Sequence, residues 1–255
     1  MKTSPRKHLS QHFLRDRQVI DRLVMAIAPL PQDHCVEIGP GQGALTFPLL
    51  QSGCYLDVIE LDQHLVERFK PHERFHIYRS DALQFNFQNL VKHQPLRVVG
   101  NLPYHISTPL LFHLLRYASI IQNITVMLQK EVVDRMAAQP GHSDYGRLSV
   151  MLQYHCQVEK LFDVPPEAFY PPPQVTSSVV RLCPYAVPPV EILNLEHFSQ
   201  IVIQAFSQRR KILRNSLKEM VDGMETLGID PQARAETLSL VDFAKLANFM
   251  TTKCR

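Results

Sequence analysis

Apolar residues along the first part of the chain follow two alternating rhythms. Short, nearly continuous apolar runs at Cys35–Ile38, Tyr55–Leu61, Phe75–Tyr78, Leu96–Val99 and Ile124–Leu128 read as buried strands. The stretches around Leu45–Leu50, Leu65–Phe69, Leu110–Tyr117 and Glu131–Ala138 lie between or after them and carry helical spacing. An amphipathic helix precedes the series, with Ile20, Leu23, Val24 and Ile27 on its apolar face and Pro29 and Pro31 ending it. Such alternation predicts an α/β, doubly wound, Rossmann-like fold: a parallel sheet with helices on both faces. In sheets of this kind ligands bind beyond the carboxyl ends of the strands, where the strand order reverses.

The pattern then changes. Gln139–Gly146 is rich in turn formers, Leu148–Tyr154 reads as a helix, and Val158–Val164 and Ser178–Leu182 read as further strands. Between those strands Pro165-Pro166 and Pro171-Pro172-Pro173 make a stiff loop, because proline fixes its own φ. From Pro188-Pro189 onward strand signals vanish and helical periodicity takes over, first at Phe198, Ile201, Val202 and Ala205, then at Ile212, Leu213, Leu217 and Met220, then at Val241, Leu246 and Phe249. The expected division is therefore residues 1–187 as the α/β domain and 188–255 as a small all-helical domain.

With 255 residues, 45% of them apolar, the chain is long enough to bury a full core. No window approaches the roughly 18 uninterrupted apolar residues of a membrane span, and the first twenty residues are polar and basic, so a cytoplasmic protein is expected. Five scattered cysteines (35, 54, 156, 183 and 254), with neither a C-x-x-C pair nor an H-E-x-x-H, indicate neither a disulfide framework nor a zinc site, and no metal is expected. The net charge is only +3, yet basic residues cluster twice: Lys2, Arg6, Lys7, Arg15, Arg17 and Arg22 near the start, and Arg209, Arg210, Lys211, Arg214 and Lys218 near the end.

The strand ends carry the chemistry. Val98-Val99-Gly100-Asn101-Leu102-Pro103-Tyr104 reads as a buried strand stopping at a rigid turn. There Asn101 offers an amide oxygen, Leu102 a carbonyl held by Pro103, and Tyr104 a flat aromatic face, a set suited to a planar base with an exocyclic amine. The first strand runs into Val36-Glu37-Ile38-Gly39-Pro40-Gly41-Gln42-Gly43-Ala44, where glycines let backbone approach a ligand. Gly39, Gly41 and Ala44 also fit the G-x-G-x-x-A variant of the nicotinamide dinucleotide fingerprint, so a dehydrogenase is a rival at this point, although N-L-P-Y has no role in one. The second strand closes on Glu60, placed to accept from ribose hydroxyls, and the third on Ser80-Asp81-Ala82, whose carboxylate suits an adenine amine. A glycine turn and two acids on successive strands make a nucleoside-binding edge.

Taken together, E-x-G-x-G-x-G, Glu60, Asp81 and N-L-P-Y resemble S-adenosylmethionine-dependent methyltransferases that act on adenine amines. Gln11-His12-Phe13-Leu14 and Phe169-x-Pro171-x-Pro173-x-Val175-x-Ser177 are similar to motifs of the ribosomal RNA adenine dimethyltransferase family, and Phe206-Ser207-Gln208-Arg209-Arg210-Lys211-Ile212-Leu213-Arg214-Asn215-Ser216-Leu217 resembles a helical segment of its bacterial small-subunit branch. The likeness covers nearly the whole chain. It implies S-adenosylmethionine as cofactor, with His12 and Leu14 closing its pocket, Gly39 against the methionine part, Glu60 on the ribose, Asp81 on the adenine amine, and Gln11, Glu37, Gly41, Leu61, Ala82 and Asn101 completing the set. Asn101, Leu102, Pro103 and Tyr104 would present the target base, with Phe169 as its second stacking face. The implied activity is dimethylation of two adjacent adenines near the 3′ end of 16S rRNA during ribosome biogenesis, on an immature small ribosomal subunit. A monomer is expected by default, because no coiled coil or large exposed apolar stripe appears. Arg209, Arg210, Lys211, Arg214 and Lys218 would meet RNA phosphates; on one helix Lys211, Arg214 and Lys218 share a face. Two rivals stay open: a large-subunit (23S) adenine methyltransferase of the macrolide-resistance type, and a non-catalytic ribosome-assembly factor that binds RNA.

Overall fold

In the computed structural model, which describes residues 12–91, 95–208 and 210–253, Asp16 starts the first helix. Its carboxylate accepts from the backbone N–H groups of Gln18 (2.9 Å) and Val19 (3.1 Å), satisfying two donors that the first turn leaves open. The helix, α1 (Arg17–Ile27), buries Val19, Ile20, Leu23 and Ile27, and stops at Ala28, whose left-handed backbone (φ 47°) returns its N–H to Val24 O just before the prolines. Ahead of it lies β1 (Phe13–Leu14). Then follow β2 (His34–Ile38), α2 (Thr46–Gln51), β3 (Tyr55–Glu60), α3 (Gln63–Val66), β4 (Phe75–Arg79), β5 (Leu96–Asn101), α4 (Ser107–Leu115), β6 (Ile121–Gln129) and α5 (Lys130–Ala137). The remainder is α6 (Arg147–His155), β7 (Cys156–Val164), β8 (Phe169–Tyr170), β9 (Ser177–Pro184), α7 (Leu195–Phe206), α8 (Leu213–Ser216), α9 (Val221–Thr226) and α10 (Leu240–Lys253).

The expected strands are all present, their ends displaced by up to a few residues. They form one sheet in the order β4-β3-β2-β5-β6-β9-β7. From β4 to β6 every neighbouring pair is parallel, and β9 then runs antiparallel to β6. The chain winds outward from β2 through β3 to β4, and in the other direction from β5 to β6. The switch point lies between β2 and β5, so a crevice opens past Ile38 and Asn101. These two strands approach closely: a Cβ on Gly100 would stand 2.5 Å from Ile38 O, which only glycine accommodates. A second sheet was not expected. It pairs β1 with β8 antiparallel, Phe13 opposite Tyr170 and Leu14 opposite Phe169, and its two-residue strands are too short to show a period.

The chain divides into two compact units. One holds the described residues up to Val133 together with Glu159–Pro184; the other holds Asp134–Val158 and the described residues from Tyr185 onward. The single boundary expected near residue 187 is thus corrected, because Asp134–Val158 belongs with the helices. In that second unit Tyr145, Val150 and Tyr154 share a core with Phe198, Val202, Leu213, Leu217, Phe243 and Leu246. Helix α7 matches its apolar spacing, but the next expected helix does not run continuously. Ile212 is extended (φ −71°, ψ 157°), α8 lasts four residues, and Leu217 (φ −124°, ψ 51°) breaks the helical path before α9. Among the described residues no helix is long and apolar enough to cross a membrane.

Candidate active site

A cavity of about 290 Å³ opens at the carboxyl ends of β2, β3 and β5, past the end of β4. Its first wall is the glycine turn after β2. Gly39 (φ +70°) donates its N–H to Ile59 O (3.0 Å), and Gly41 (φ +56°) leaves room for the Phe13 ring, which a Cβ there would meet at 3.1 Å. Both glycines occupy left-handed backbone that side chains resist, and both line the cavity. Behind the turn Glu37 is 2% exposed and accepts a hydrogen bond from the Thr46 hydroxyl (2.6 Å). Burial pushes its carboxyl up to about 8, the Thr46 bond opposing and the nearby Glu60 adding to the rise.

The second and third walls carry the acids. Glu60, the last residue of β3, accepts from the Asp62 N–H (2.9 Å); burial raises its pKa against the backbone N–H groups of Asp62, Leu61 and Gly41, which favour the charged form. Asp81 accepts from the Leu83 N–H (2.9 Å) and the Gln84 side-chain amide (3.4 Å), which orients its carboxylate. Leu61 and Ala82 line the cavity beside these acids, Leu61 with 55% of its surface exposed.

The fourth wall is Asn101-Leu102-Pro103-Tyr104, all four lining the cavity. The Asn101 amide nitrogen donates to His12 O (3.1 Å), a bond that assigns the amide orientation and leaves Oδ1 as acceptor. The Leu102 N–H donates to Met127 O (3.2 Å), anchoring the backbone just before the Leu102 carbonyl. The Tyr104 hydroxyl shares a hydrogen bond with Ser177 Oγ (2.7 Å), and its ring stacks on His12 with centroids 5.8 Å apart at 26°. His12 in turn donates from Nδ1 to Pro171 O (2.7 Å), joining the start of the described chain to the proline loop. His12 and Leu14 both line the cavity. Gln11 lies outside the described residues.

Phe169 is a correction. Strand β8 alternates, so Phe169 turns inward, 4% exposed and packed in the core, while Tyr170 points out at 49% exposed. Phe169 is not among the cavity residues, and the second stacking face assigned to it is absent from this arrangement. Among the described residues no group of three or more His, Cys, Asp or Glu side chains is placed to hold a metal ion.

A family model described as ribosomal RNA adenine dimethylase matches residues 2–252. The chain belongs to the ribosomal RNA adenine dimethylase family. It is similar to the ribosomal RNA small subunit methyltransferase A of Methylococcus capsulatus (52% identical over 253 residues, covering 97% of this chain and 98% of that one) and to the protein of the same name in Pseudomonas aeruginosa (52% over 250 residues, 95% and 93%). Among solved structures it resembles a dimethyladenosine transferase from Plasmodium falciparum, with a TM-score of 0.83, 26% identity and coverage of 95% and 98%. It also resembles the 23S rRNA methyltransferase ErmE, with a TM-score of 0.70, 26% identity and coverage of 92% and 98%.

As a member of the dimethylase family the chain is an S-adenosylmethionine-dependent methyltransferase of ribosomal RNA. The cavity fits that cofactor: two positive-φ glycines keep one wall bare, Glu60 ends β3 and Asp81 stands just past the end of β4. The basic segment is a second correction. Arg210, Lys211, Arg214 and Lys218 are exposed, but they lie on a turn, on α8 and on a 3₁₀ turn rather than along one helical face, and Arg209 lies outside the described residues. Three residues in or beside this site had no role in the sequence reading. Phe13 and Ser177 stood inside recognised motifs, and their contacts to Gly41 and Tyr104 had no local signal; Thr46 carried none at all.

Proposed function

We propose that this chain dimethylates N6 of two adjacent adenines near the 3′ end of 16S rRNA, acting in the cytoplasm on an immature small ribosomal subunit during ribosome biogenesis. The observation that carries the reading is the Asn101 amide, held by its nitrogen on His12 O so that its oxygen is the free half, next to the Leu102 carbonyl and the Tyr104 ring.

An adenine amine is a poor nucleophile because its lone pair is spread into the ring. Asn101 Oδ1 and Leu102 O accept its two N–H bonds and draw the nitrogen toward tetrahedral geometry, which localises the lone pair. Tyr104 stacks on the base, a contact worth roughly 1–3 kcal/mol, offsetting the few kcal/mol needed to take the base out of its stack. Glu60 would hold the ribose hydroxyls of the cofactor and Asp81 its adenine amine, with Gly39 on the side of the methionine part. When bound, S-adenosylmethionine supplies an electrophilic methyl group. As the amine nitrogen bonds the methyl carbon, the methyl's bond to sulfur breaks, and the nitrogen sheds one proton to solvent, since neither an amide oxygen nor a backbone carbonyl is basic enough to keep it. Alignment of the two partners contributes most of the acceleration, with effective molarities of about 10⁵ M or more. A second transfer requires the monomethylated amine to turn and offer its remaining hydrogen to one of the same two acceptors.

The test is transfer of labelled methyl from S-adenosylmethionine to immature small subunits lacking adenine dimethylation, with large-subunit RNA in parallel and nuclease digestion of the product. Dimethyladenosine on the small-subunit RNA alone is expected. Label on the large-subunit RNA would refute the assignment of substrate, and label on neither would refute the catalytic reading.

A further inference from the structure

Of the first basic cluster, Lys2, Arg6 and Lys7 lie outside the described residues, and the structure separates the other three. Arg17 is paired with Asp21 (3.2 Å), and Arg22 lies over the Phe162 ring (4.1 Å). Arg15 differs. Its guanidinium lies 4.0 Å from the centroid of the Tyr170 ring, both side chains are exposed, and Arg15 has no carboxylate partner among the described residues. The neighbouring Asp16 spends its carboxylate on the cap of α1.

The pair also has a defined place. Arg15 follows β1 directly, and its N–H bonds back to Ala168 O (2.8 Å), while Tyr170 is the outward residue of β8. His12, just before that small sheet, links it to the catalytic wall through Pro171 O, Asn101 and the Tyr104 ring. Three residues span at most about 11 Å, so Arg15 stands within a nucleotide or two of the base that Tyr104 would hold. A guanidinium packed over an aromatic ring and without a carboxylate partner among the described residues presents its donor fork to an oxyanion from a partly ordered position.

We infer that the Arg15–Tyr170 pair is an RNA contact, in which Arg15 takes a backbone phosphate flanking the target adenosine and Tyr170 holds the guanidinium in place. The inference rests on the RNA substrate proposed above and adds a recognition surface outside the cavity. Because one phosphate contact releases about one counterion, replacing Arg15 by a neutral residue lowers the salt dependence of RNA binding by close to one unit of slope.

The experiment measures affinity of the full chain for immature small ribosomal subunits across a series of potassium chloride concentrations, for the wild type and for Arg15→Gln, Arg17→Gln and Tyr170→Leu. Arg15→Gln is expected to weaken binding several-fold and to reduce the slope of log affinity against log salt by about 0.7–0.9. Arg17→Gln, which removes the same charge from a side chain already paired, is expected to leave the slope unchanged. Tyr170→Leu is expected to weaken binding about 2–5-fold through loss of the ring beneath the guanidinium. S-adenosylmethionine binding should be the same in all four proteins, which shows that the cavity is intact. An unchanged slope in Arg15→Gln, or equal losses in Arg15→Gln and Arg17→Gln, overturns the contact while leaving the proposed activity standing. Failure of the wild type to bind the subunits at all overturns the activity reading and this contact together.

Discussion

Replacing Glu37 by Gln tests the electrostatics of the cavity floor. Glu37 is 2% exposed and keeps its proton to about pH 8, chiefly because burial disfavours the charged form. Below about pH 4.5, the ordinary value, the carboxyl is protonated in both folded and unfolded chains and pH has no leverage through it. Between that value and about 8 the folded chain holds a proton that the unfolded chain has released, so raising pH favours unfolding. Above about 8 the penalty levels off. Integrated from pH 6 to pH 8, this one group costs the wild type about 2 kcal/mol of stability. Glutamine has nearly the same shape, its amide oxygen still accepts from Thr46, and it has no proton to lose. The assay is urea and thermal unfolding of wild type and Glu37→Gln without cofactor, followed by circular dichroism at pH 6, 7 and 8. The stability difference in favour of the variant should grow by about 2 kcal/mol across that range, or roughly 4–8 °C in Tm. Groups that do not interact with Glu37 behave alike in both proteins and cancel in the difference. A difference that stays constant with pH would show that Glu37 is ionised in the folded protein and would refute the reasoning.

Gly100→Ala places a methyl 2.5 Å from Ile38 O, so β5 must move away from β2; calorimetry should show a loss of about 1–3 kcal/mol, and an unchanged Tm would mean the strands are less closely packed than described. Asn101→Ala should reduce methyl transfer by about 100-fold or more while affinity for immature subunits stays within about twofold, as expected when a group acts on the reacting atom rather than on docking. Tyr104→Ala should raise KM for RNA by the equivalent of about 1–3 kcal/mol. Tyr104→Phe and Ser177→Ala each remove the same hydrogen bond (2.7 Å), so combining them should cost little more than either alone; additive losses in the double variant would separate Ser177 from Tyr104.

The residues at the strand ends were legible because the features that mark them are local. A run such as Val36–Ile38 must be buried on both faces, and the glycines after it announce backbone that other residues resist. Glu60, Asp81 and Asn101 follow as the next residues to emerge at the same edge once a parallel sheet is granted. The helix over Arg17–Ile27 was legible for a similar reason, since its apolar face and the prolines beyond it lie within a few turns, although its aspartate cap emerged only in the structure.

Contacts between segments far apart in the chain were not legible. Phe169 sits on a proline loop whose composition says nothing of direction; its pairing with Leu14 turned the ring into the core and left Tyr170 outside. The hydrogen bond from Asn101 to His12 O joins residues 89 positions apart, and the one from His12 to Pro171 O spans 159. Likewise Asp134–Val158 joined the helical unit because Tyr145, Val150 and Tyr154 find their core there, and the helix expected through Leu217 breaks where Leu213 and Leu217 enter that core. By itself the sequence determined which faces are buried and which strand ends carry acids, glycines and amides, since periodicity and backbone preference act over a few residues. Only the tertiary structure decided which way a short strand faces, where a helix yields to packing, and which distant carbonyl holds the Asn101 amide, because those outcomes depend on packing among segments with no neighbours in sequence.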